Sequence, residues 1–222
     1  MINLIFEKLS LYLKGFAELL YWRIKFNSEK VLTNEHYKQF YTEHFNLDES
    51  YFTEKIILDI GCGPRGSLEW ANTAKFRIGL DPLASKYRSL GTDGHQMEYI
   101  TSFSENIPLK NDTCDVVCSF NSLDHVQNVK QTINEIKRLV SKGGLFLLIV
   151  EVNHNSRICE PHSISPNEII TLLEPEFNCE RINVYKKYSE RIYQSILEGE
   201  KYSNPESVNE NGYLTALFRK KL

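Results

Sequence analysis

The sequence has no Cys-x-x-Cys pair, and its five cysteines, Cys62, Cys114, Cys118, Cys159 and Cys179, are odd in number. That argues against a disulfide framework or a structural zinc site and fits a reducing, cytoplasmic setting. Basic charge is not in excess: 26 Lys and Arg against 29 Asp and Glu give a formal net charge of -3. No overall basic field is available to hold nucleic acid. There is no internal repeat, no low-complexity tract and no Pro/Ser-rich linker. Glu7, Lys8, Lys14 and Glu18 interrupt the apolar N-terminus, so no apolar run is long enough to span a bilayer and no transmembrane segment is expected. Neither a basic leader nor a small-residue cleavage site marks a signal peptide.

What remains is a chain of 222 residues, 41% hydrophobic and 25% charged, enough for one full domain and a small extension. Ile2, Ile5, Leu9, Tyr12, Phe16 and Leu19 recur at helical spacing and make one apolar face. Such a face docks on its own domain or on a second copy, as in a homodimer. The competing reading is a helix lying on a membrane surface through residues 1–26, against which the mixture of Glu and Lys speaks. One or two short aromatic-rich helices follow over 34–52, so residues 1–52 read as a helical extension or lid and 53–222 as the main domain.

From "KIILDI" onward strands and helices alternate. "FRIGLD", "MEYITS", "CDVVCSF" and "LFLLIVEV" read as strands, with helices predicted over "GSLEWANTA", "PLASKYRSL", "NVKQTINEIKRLV" and "SPNEIITLLE". "KGG" reads as the stop of the third of these helices. "FNCERINVY" and "YLTALFRKK" are expected to pair as antiparallel strands, with one short helix over 189–199 between them. The pattern predicts an α/β, Rossmann-like, doubly wound fold: a mostly parallel seven-stranded sheet with helices on both faces. Ligands then bind beyond the carboxyl ends of the strands, near the switch point.

"GCGPRG" at 61–66 matches G-x-G-x-x-G, which alone points weakly to a dinucleotide and an NAD(P)-dependent oxidoreductase. Asp59 points elsewhere. A carboxylate two residues before Gly61 would repel a pyrophosphate seated on this turn but attract an ammonium group. Gly61 and Gly63 would let a ligand approach the backbone closely. Asp81 follows 22 residues after Asp59, at the end of the second strand, where an acid can accept from both ribose hydroxyls. "DP" is equally a good helix start, with Asp81 as cap, and one carboxylate can serve both roles. Arg65 reads either as an exposed loop residue or as a partner for a carboxylate.

A nucleoside carrying an ammonium group and no phosphate describes S-adenosyl-L-methionine. "ILDIGCGPRG", "GLDP", "SFSENIPLKNDTCDVVCSFNSLDHV" and "EIKRLVSKGGLFLLI" resemble, in order and spacing, the class I S-adenosylmethionine-dependent methyltransferases, the small-molecule type 11 group above all. The resemblance covers residues 54–152. It implies that Asp59, Gly61 and Gly63, with Cys62 in the same turn, hold the methionine end of the cofactor. Asp81 would hold the ribose, with Pro82 and Leu83 beside the adenine. Ser104 and Glu105 would read the adenine edge, Phe103 standing where the family often has an Asp. Asn121 would lie near the transferred methyl.

Methyl transfer needs a base only where the acceptor must lose a proton. Asp124 and His125 fall just past the fourth strand, and His125 reads either as a base or as a packed imidazole beside a capping Asp124. His154 and His162 lie in the loop after the fifth strand, with Glu151, Arg157 and Glu160, and are further candidates for acid/base work or substrate contact. The spacing H-x5-E-x-H matches no established metal motif, and no metal is assigned. The expected function is methyl transfer to a small-molecule or sugar-like acceptor. The alternatives are the oxidoreductase and a non-catalytic methyltransferase-like binding module.

Overall fold

The computed structural model describes residues 2–157 and 160–222, with side chains from residue 13 onward. Cys159 and the side chains of Ile2, Ile5, Leu9 and Tyr12 lie outside the described residues. Seven strands form one sheet: β1 (Ile56–Ile60), β2 (Phe76–Leu80), β3 (Glu98–Ile100), β4 (Cys114–Phe120), β5 (Val140–Val152), β6 (Phe177–Lys186) and β7 (Gly212–Lys220). Their order is β3-β2-β1-β4-β5-β7-β6. The pairs from β3 through β5 are parallel, and β7 inserts antiparallel between β5 and β6. The chain leaves β1 toward β2 on one side and returns to β4 on the other, which opens the crevice between β1 and β4.

Alternation along the strands sends side chains to two cores. Leu58, Val117, Phe146 and Leu148 meet Ile133 and Ile136 of α3 (Val129–Leu139) and Ile169 and Leu173 of α4 (Pro166–Leu173). Ile57, Val116, Leu147 and Ile149 meet Phe40 and Tyr41 of α2 (Lys38–Tyr41), with Phe45, Phe52 and Leu68, and Ile192 and Ile196 of α5 (Ile192–Glu198). Helix ends follow their caps. The Asn128 side chain accepts from Gln131 N–H at the start of α3, and the Ser165 side chain accepts from Glu168 N–H ahead of Pro166 in α4.

Three predicted elements differ. The segment expected to continue "GSLEWANTA" as a helix is a chain of turns: Glu69, Ala71 and Ala74 each donate to the carbonyl three residues back. Glu54 N–H donates to Thr73 and Lys75 N–H to Lys55, tying the end of the connection to the start of β1. The short link is closed by these ties, and no helix lies among the described residues 61–75. "PLASKYRSL" is a 3-10 helix over Ala84–Leu90 rather than an α-helix. "KGG" does not stop α3, which ends at Leu139 and passes directly into β5. Cys114 faces Val140 while Val116 faces Leu145, so residues 141–144 bulge from the ladder, with Gly143 at φ +75.

The N-terminal helix α1 (Ile2–Glu29) is 28 residues long. It lies across the carboxyl ends of the strands. Leu19, Trp22 and Phe26 pack on Leu32, Leu83, Tyr87 and Leu90. Leu13, Phe16, Leu20 and Ile24 face outward, so Phe16, expected on the docked face with Leu19, lies on the other side. No helix among the described residues is long and apolar enough to cross a membrane.

The two-sided core makes one prediction. Leu147→Ala and Leu148→Ala each destabilise the chain by about 2–5 kcal/mol in urea unfolding, because both side chains are fully buried, on opposite faces. A loss below about 1 kcal/mol at either position, far under that cavity range, would contradict a sheet covered on both faces.

Candidate active site

β1, β2 and β4 end in one row, and each delivers a carboxylate at or just past its end. Asp59, Asp81 and Asp124 are all buried. The Asp59 Oδ2 accepts from the Tyr41 hydroxyl at 2.9 Å and from the Ser67 hydroxyl. Burial outweighs those bonds and pushes Asp59 up to about 7. Neither Tyr41 nor Ser67 stands out in the sequence: Tyr41 arrives from the extension, 18 residues away, and Ser67 is an ordinary residue of the turn.

Asp81 closes the turn ahead of the 3-10 helix instead of capping it, since the cap position is Leu83, and it keeps capacity for a ligand. Its Oδ1 accepts from Leu83 N–H at 2.8 Å and its Oδ2 from Gly63 N–H at 3.2 Å. Each carboxylate oxygen has further lone-pair capacity, so donors from a ribose can still be met. Burial raises its pKa.

Gly61 has φ +74, and a Cβ there would stand 2.3 Å from Ser122 Cβ. Its bareness is required by a neighbour in the protein, since Ser122 fills the space and donates to the Ile60 carbonyl at 2.8 Å. Gly63 has φ +58, and a Cβ there would meet the Trp22 ring at 3.2 Å. Cys62 is buried, its sulfur packed toward Gly79, and burial holds its thiol well above the usual range. Cys62 is thus a packing residue of the turn. Pro82 is exposed, and Leu83 is buried against α1, close to Gly15.

α1 covers this half of the site. Trp22 lies on Gly63, and the Arg65 guanidinium sits 5.7 Å from the Trp22 ring centroid. Arg65 also holds Glu29 at 2.8 Å and the Thr33 carbonyl at 3.0 Å. It is a clasp between the glycine loop and the end of α1, not an exposed loop residue. Glu18 comes close to Asp81, and burial with that second carboxylate pushes Glu18 up to about 7. Lys14 donates to the His125 carbonyl.

Of the residues expected at the adenine edge, Ser104 is buried and shares a hydrogen bond with Thr132 at 2.9 Å. Glu105 Oε1 accepts from Gln127 and Asn128 N–H at 2.7 and 2.9 Å, which fixes the approach to α3. Phe103 beside them is exposed. Asn121 is exposed at the end of β4 with φ +54, a conformation asparagine tolerates.

Three of the four candidate catalytic side chains meet. His125 Nε2 lies 3.9 Å from Asp124 Oδ1, and His154 Nε2 lies 3.7 Å from Asp124 Oδ2. Glu160 joins them, its Oε1 3.8 Å from His125 Nε2. Burial pushes Asp124 up to about 7, and burial, with Lys14 and His154, pushes His125 down to about 4. His162 stands apart from this group: its Nε2 lies 2.9 Å from the Val126 carbonyl and pins the loop after β4. Glu151 is held by Lys187 and Asn211, each at 2.8 Å.

A pyrophosphate at the glycine loop needs a helix N-terminus behind it. No helix lies among the described residues 61–75, and Asp59 is buried there instead, so the loop lacks the cradle an NAD(P) site requires.

Residues 58–148 match the family model described as "Methyltransferase domain", of the type 11 group. An uncharacterized protein of Methanocaldococcus jannaschii is 30% identical over 96 residues, 43% of this chain and 36% of that protein. This match therefore spans about a third of that relative's length. Among solved structures, an S-adenosylmethionine-dependent methyltransferase from Mesorhizobium loti aligns with TM-score 0.57 and 16% identity over 79% of this chain and 94% of that one. The [4+2]-cyclase SpnF aligns with TM-score 0.55 and 14% identity over 78% of this chain and 79% of that one. The resemblance to class I S-adenosylmethionine-dependent methyltransferases is thus borne out, in sequence over 58–148 and in fold. The cyclase on the same fold shows that architecture alone leaves the reaction open.

The buried acids have a pH signature. Asp59 and Glu18 hold protons up to about pH 7 in the folded chain, whereas unfolded carboxyls release them near pH 4. Their stabilising contribution is complete below pH 4 and is lost as pH rises through 7. Thermal melts between pH 5 and 8 therefore fall more steeply for the wild type than for Asp59→Asn. Parallel profiles would show that Asp59 is not held protonated by burial.

Proposed function

We propose that this chain is an S-adenosylmethionine-dependent methyltransferase acting on a small-molecule acceptor, with residues 1–52 forming a lid over the 53–222 domain. The observation that carries the reading is the pair of buried acids, Asp59 and Asp81, on adjacent strands either side of a glycine loop with no helix behind it. This set suits a ligand with an ammonium group and a ribose and disfavours a pyrophosphate.

The cofactor supplies a methyl group already activated on a positively charged sulfur. Asp59, Gly61, Cys62 and Gly63 form the turn that receives its amino-acid end, and Asp81 accepts from the ribose. Leu83 offers an apolar wall to the adenine, with Phe103 and Ser104 across the crevice. Asn121 marks the mouth of β4, where the methyl would be presented. The contribution of the chain is positioning, which dominates when the leaving group is already activated. The acceptor meets the Asp124–His125–His154 group past β4 and β5, while His162 and Glu105 serve by fixing the loops around them.

α1 must shift for the cofactor to enter, because Trp22, Gly15 and Glu18 cover Gly63, Leu83 and Asp81. The absence of an overall basic field favours a small acceptor over a nucleic acid.

Calorimetric titration with S-adenosylhomocysteine tests the cofactor. Micromolar binding is expected, weakened about 10–100-fold by Asp81→Ala, with no binding of NADH. Failure of the wild type to bind S-adenosylhomocysteine would sink the proposal, and NADH binding in its place would install the oxidoreductase. The lid has a separate readout. In a Trp70→Phe background Trp22 is the remaining tryptophan, and its emission changes as the ligand saturates the site. Unchanged emission at saturation would mean that α1 does not move.

A further inference from the structure

Asp124 is 1% exposed, and neither of its carboxylate oxygens has a hydrogen-bond partner among the described residues. A buried carboxylate left without donors is costly, on the order of several kcal/mol, and none of the described ion pairs joins it to a lysine or arginine. What faces it are two imidazole nitrogens. His154 Nε2 stands 3.7 Å from one oxygen and His125 Nε2 stands 3.9 Å from the other, and both nitrogens are themselves buried and unpartnered. These separations are too long for hydrogen bonds.

The tautomer of His154 sharpens the conflict. Its Nδ1 lies 2.9 Å from the Asn155 carbonyl oxygen, which can only accept, so Nδ1 carries the proton. The neutral ring then aims the Nε2 lone pair at a carboxylate oxygen. Glu160 Oε1 adds another acceptor 3.8 Å from His125 Nε2. Ligand atoms of Asp124, His125 and Glu160 all lie within 4.8 Å of one another. One water has two protons to give, fewer than the acceptor atoms that converge here. A cation satisfies them together.

We infer that Asp124, His125 and Glu160, joined by His154 across the second oxygen of Asp124, form a binding site for one divalent first-row transition-metal ion. Ligands about 2.0–2.2 Å from a tetrahedral ion stand about 3.4 Å apart, so the 3.9 and 3.8 Å gaps from His125 Nε2 to Asp124 and Glu160 close with small side-chain rotations, and His154 meets the same carboxylate at its other oxygen. Two carboxylates match the charge of the ion. Two imidazoles favour Zn2+, Co2+ or Ni2+ over Mg2+ and Ca2+, which prefer oxygen ligands. The outer contacts are those of a ligand set held in place. The Asn155 carbonyl orients His154, Arg157 holds the other oxygen of Glu160 at 3.1 Å, and Lys14 holds the His125 backbone. The residues come from 124–125, 154 and 160, so no single stretch of sequence carries the motif. An imidazole engaged with an ion cannot also take a proton, so the site removes His125 from the role of base.

The test needs neither cofactor nor acceptor. The full chain is stripped with a chelator, then titrated with Zn2+ by calorimetry and with Co2+ by visible absorption. One equivalent of each is expected, with intense Co2+ bands of a low-coordinate site and a raised melting temperature. Asp124→Asn, His154→Gln and Glu160→Gln should each weaken Zn2+ binding about tenfold or more. His95→Gln and Cys179→Ser should leave it unchanged. Glu160 is partly exposed, so Glu160→Gln remains informative if Asp124→Asn fails to fold. Absence of stoichiometric binding, binding indifferent to His154→Gln and Glu160→Gln, or binding of Mg2+ in preference to Zn2+ would each overturn the inference. S-adenosylhomocysteine binding by the same stripped sample separates this failure from failure of the methyltransferase reading.

Discussion

Three carboxylates buried side by side at the carboxyl ends of β1, β2 and β4 are the constraint around which the rest of the site is arranged. A charge removed from water must find donors, a counter-charge or a proton. Each acid solves this differently. Asp59 takes two hydroxyls, from Tyr41 of the extension and Ser67 of the turn. Asp81 takes backbone N–H groups from Gly63 and Leu83, which makes it the knot tying the glycine loop to the start of the next connection. Asp124 has no side-chain hydrogen bond among the described residues, and its neighbours are imidazole nitrogens in need of a partner themselves. The acids thus differ: Asp81 has a donor on each oxygen, Asp59 has both of its donors on one oxygen, and Asp124 has none among the described residues. Asp59 and Asp124, each with an oxygen that no described donor meets, are the ones at which a ligand or ion gains most.

The sheet was legible because its evidence is local. Short apolar runs such as "KIILDI" and "LFLLIV" between turn signals give strands, and the alternation with helices gives parallel pairing. Asp59 and Asp81 were legible for the same reason, since a residue at the end of a strand falls at the site edge whatever the rest does. The failures share a cause as well. "GSLEWANTA" has helical composition, but its C-terminal end is tied through Thr73 and Lys75 to Glu54 and Lys55, about 20 residues back, and tertiary bonds outweigh propensity. "KGG" carries a stop signal that the β4 ladder overrides by pairing Val140 directly.

Within the site, the reading of residue types was better than the reading of their neighbours. The glycines at 61 and 63 are needed, but the groups pressed against them are Ser122 and Trp22. Glu105 and His162 have the chemistry expected of ligand contacts, yet backbone N–H and carbonyl groups engage them. Arg65 has the look of a loop residue and is a clasp for α1. Contacts over 22 to 111 positions decide these roles, from Glu105 with Gln127 to Lys14 on the His125 carbonyl, and a single sequence carries no signal for them.

α1 turns these separate contacts into one system. It touches the cofactor half through Trp22 on Gly63 and Glu18 beside Asp81, and the acceptor half through Lys14 on the backbone of His125. A helix moves as a unit over two or three turns, because bending it breaks its own hydrogen bonds. Lifting Trp22 from the glycine loop therefore also pulls at Lys14, eight residues or about 12 Å away along the axis. On the proposed lid motion, opening for the cofactor would loosen the loop that carries Asp124 and His125, and closing over it would set that loop again. That motion would impose an order of events: the proposed acceptor half would be complete only when the proposed cofactor half is covered. A small acceptor would thus meet its contacts with the activated methyl already sealed from water.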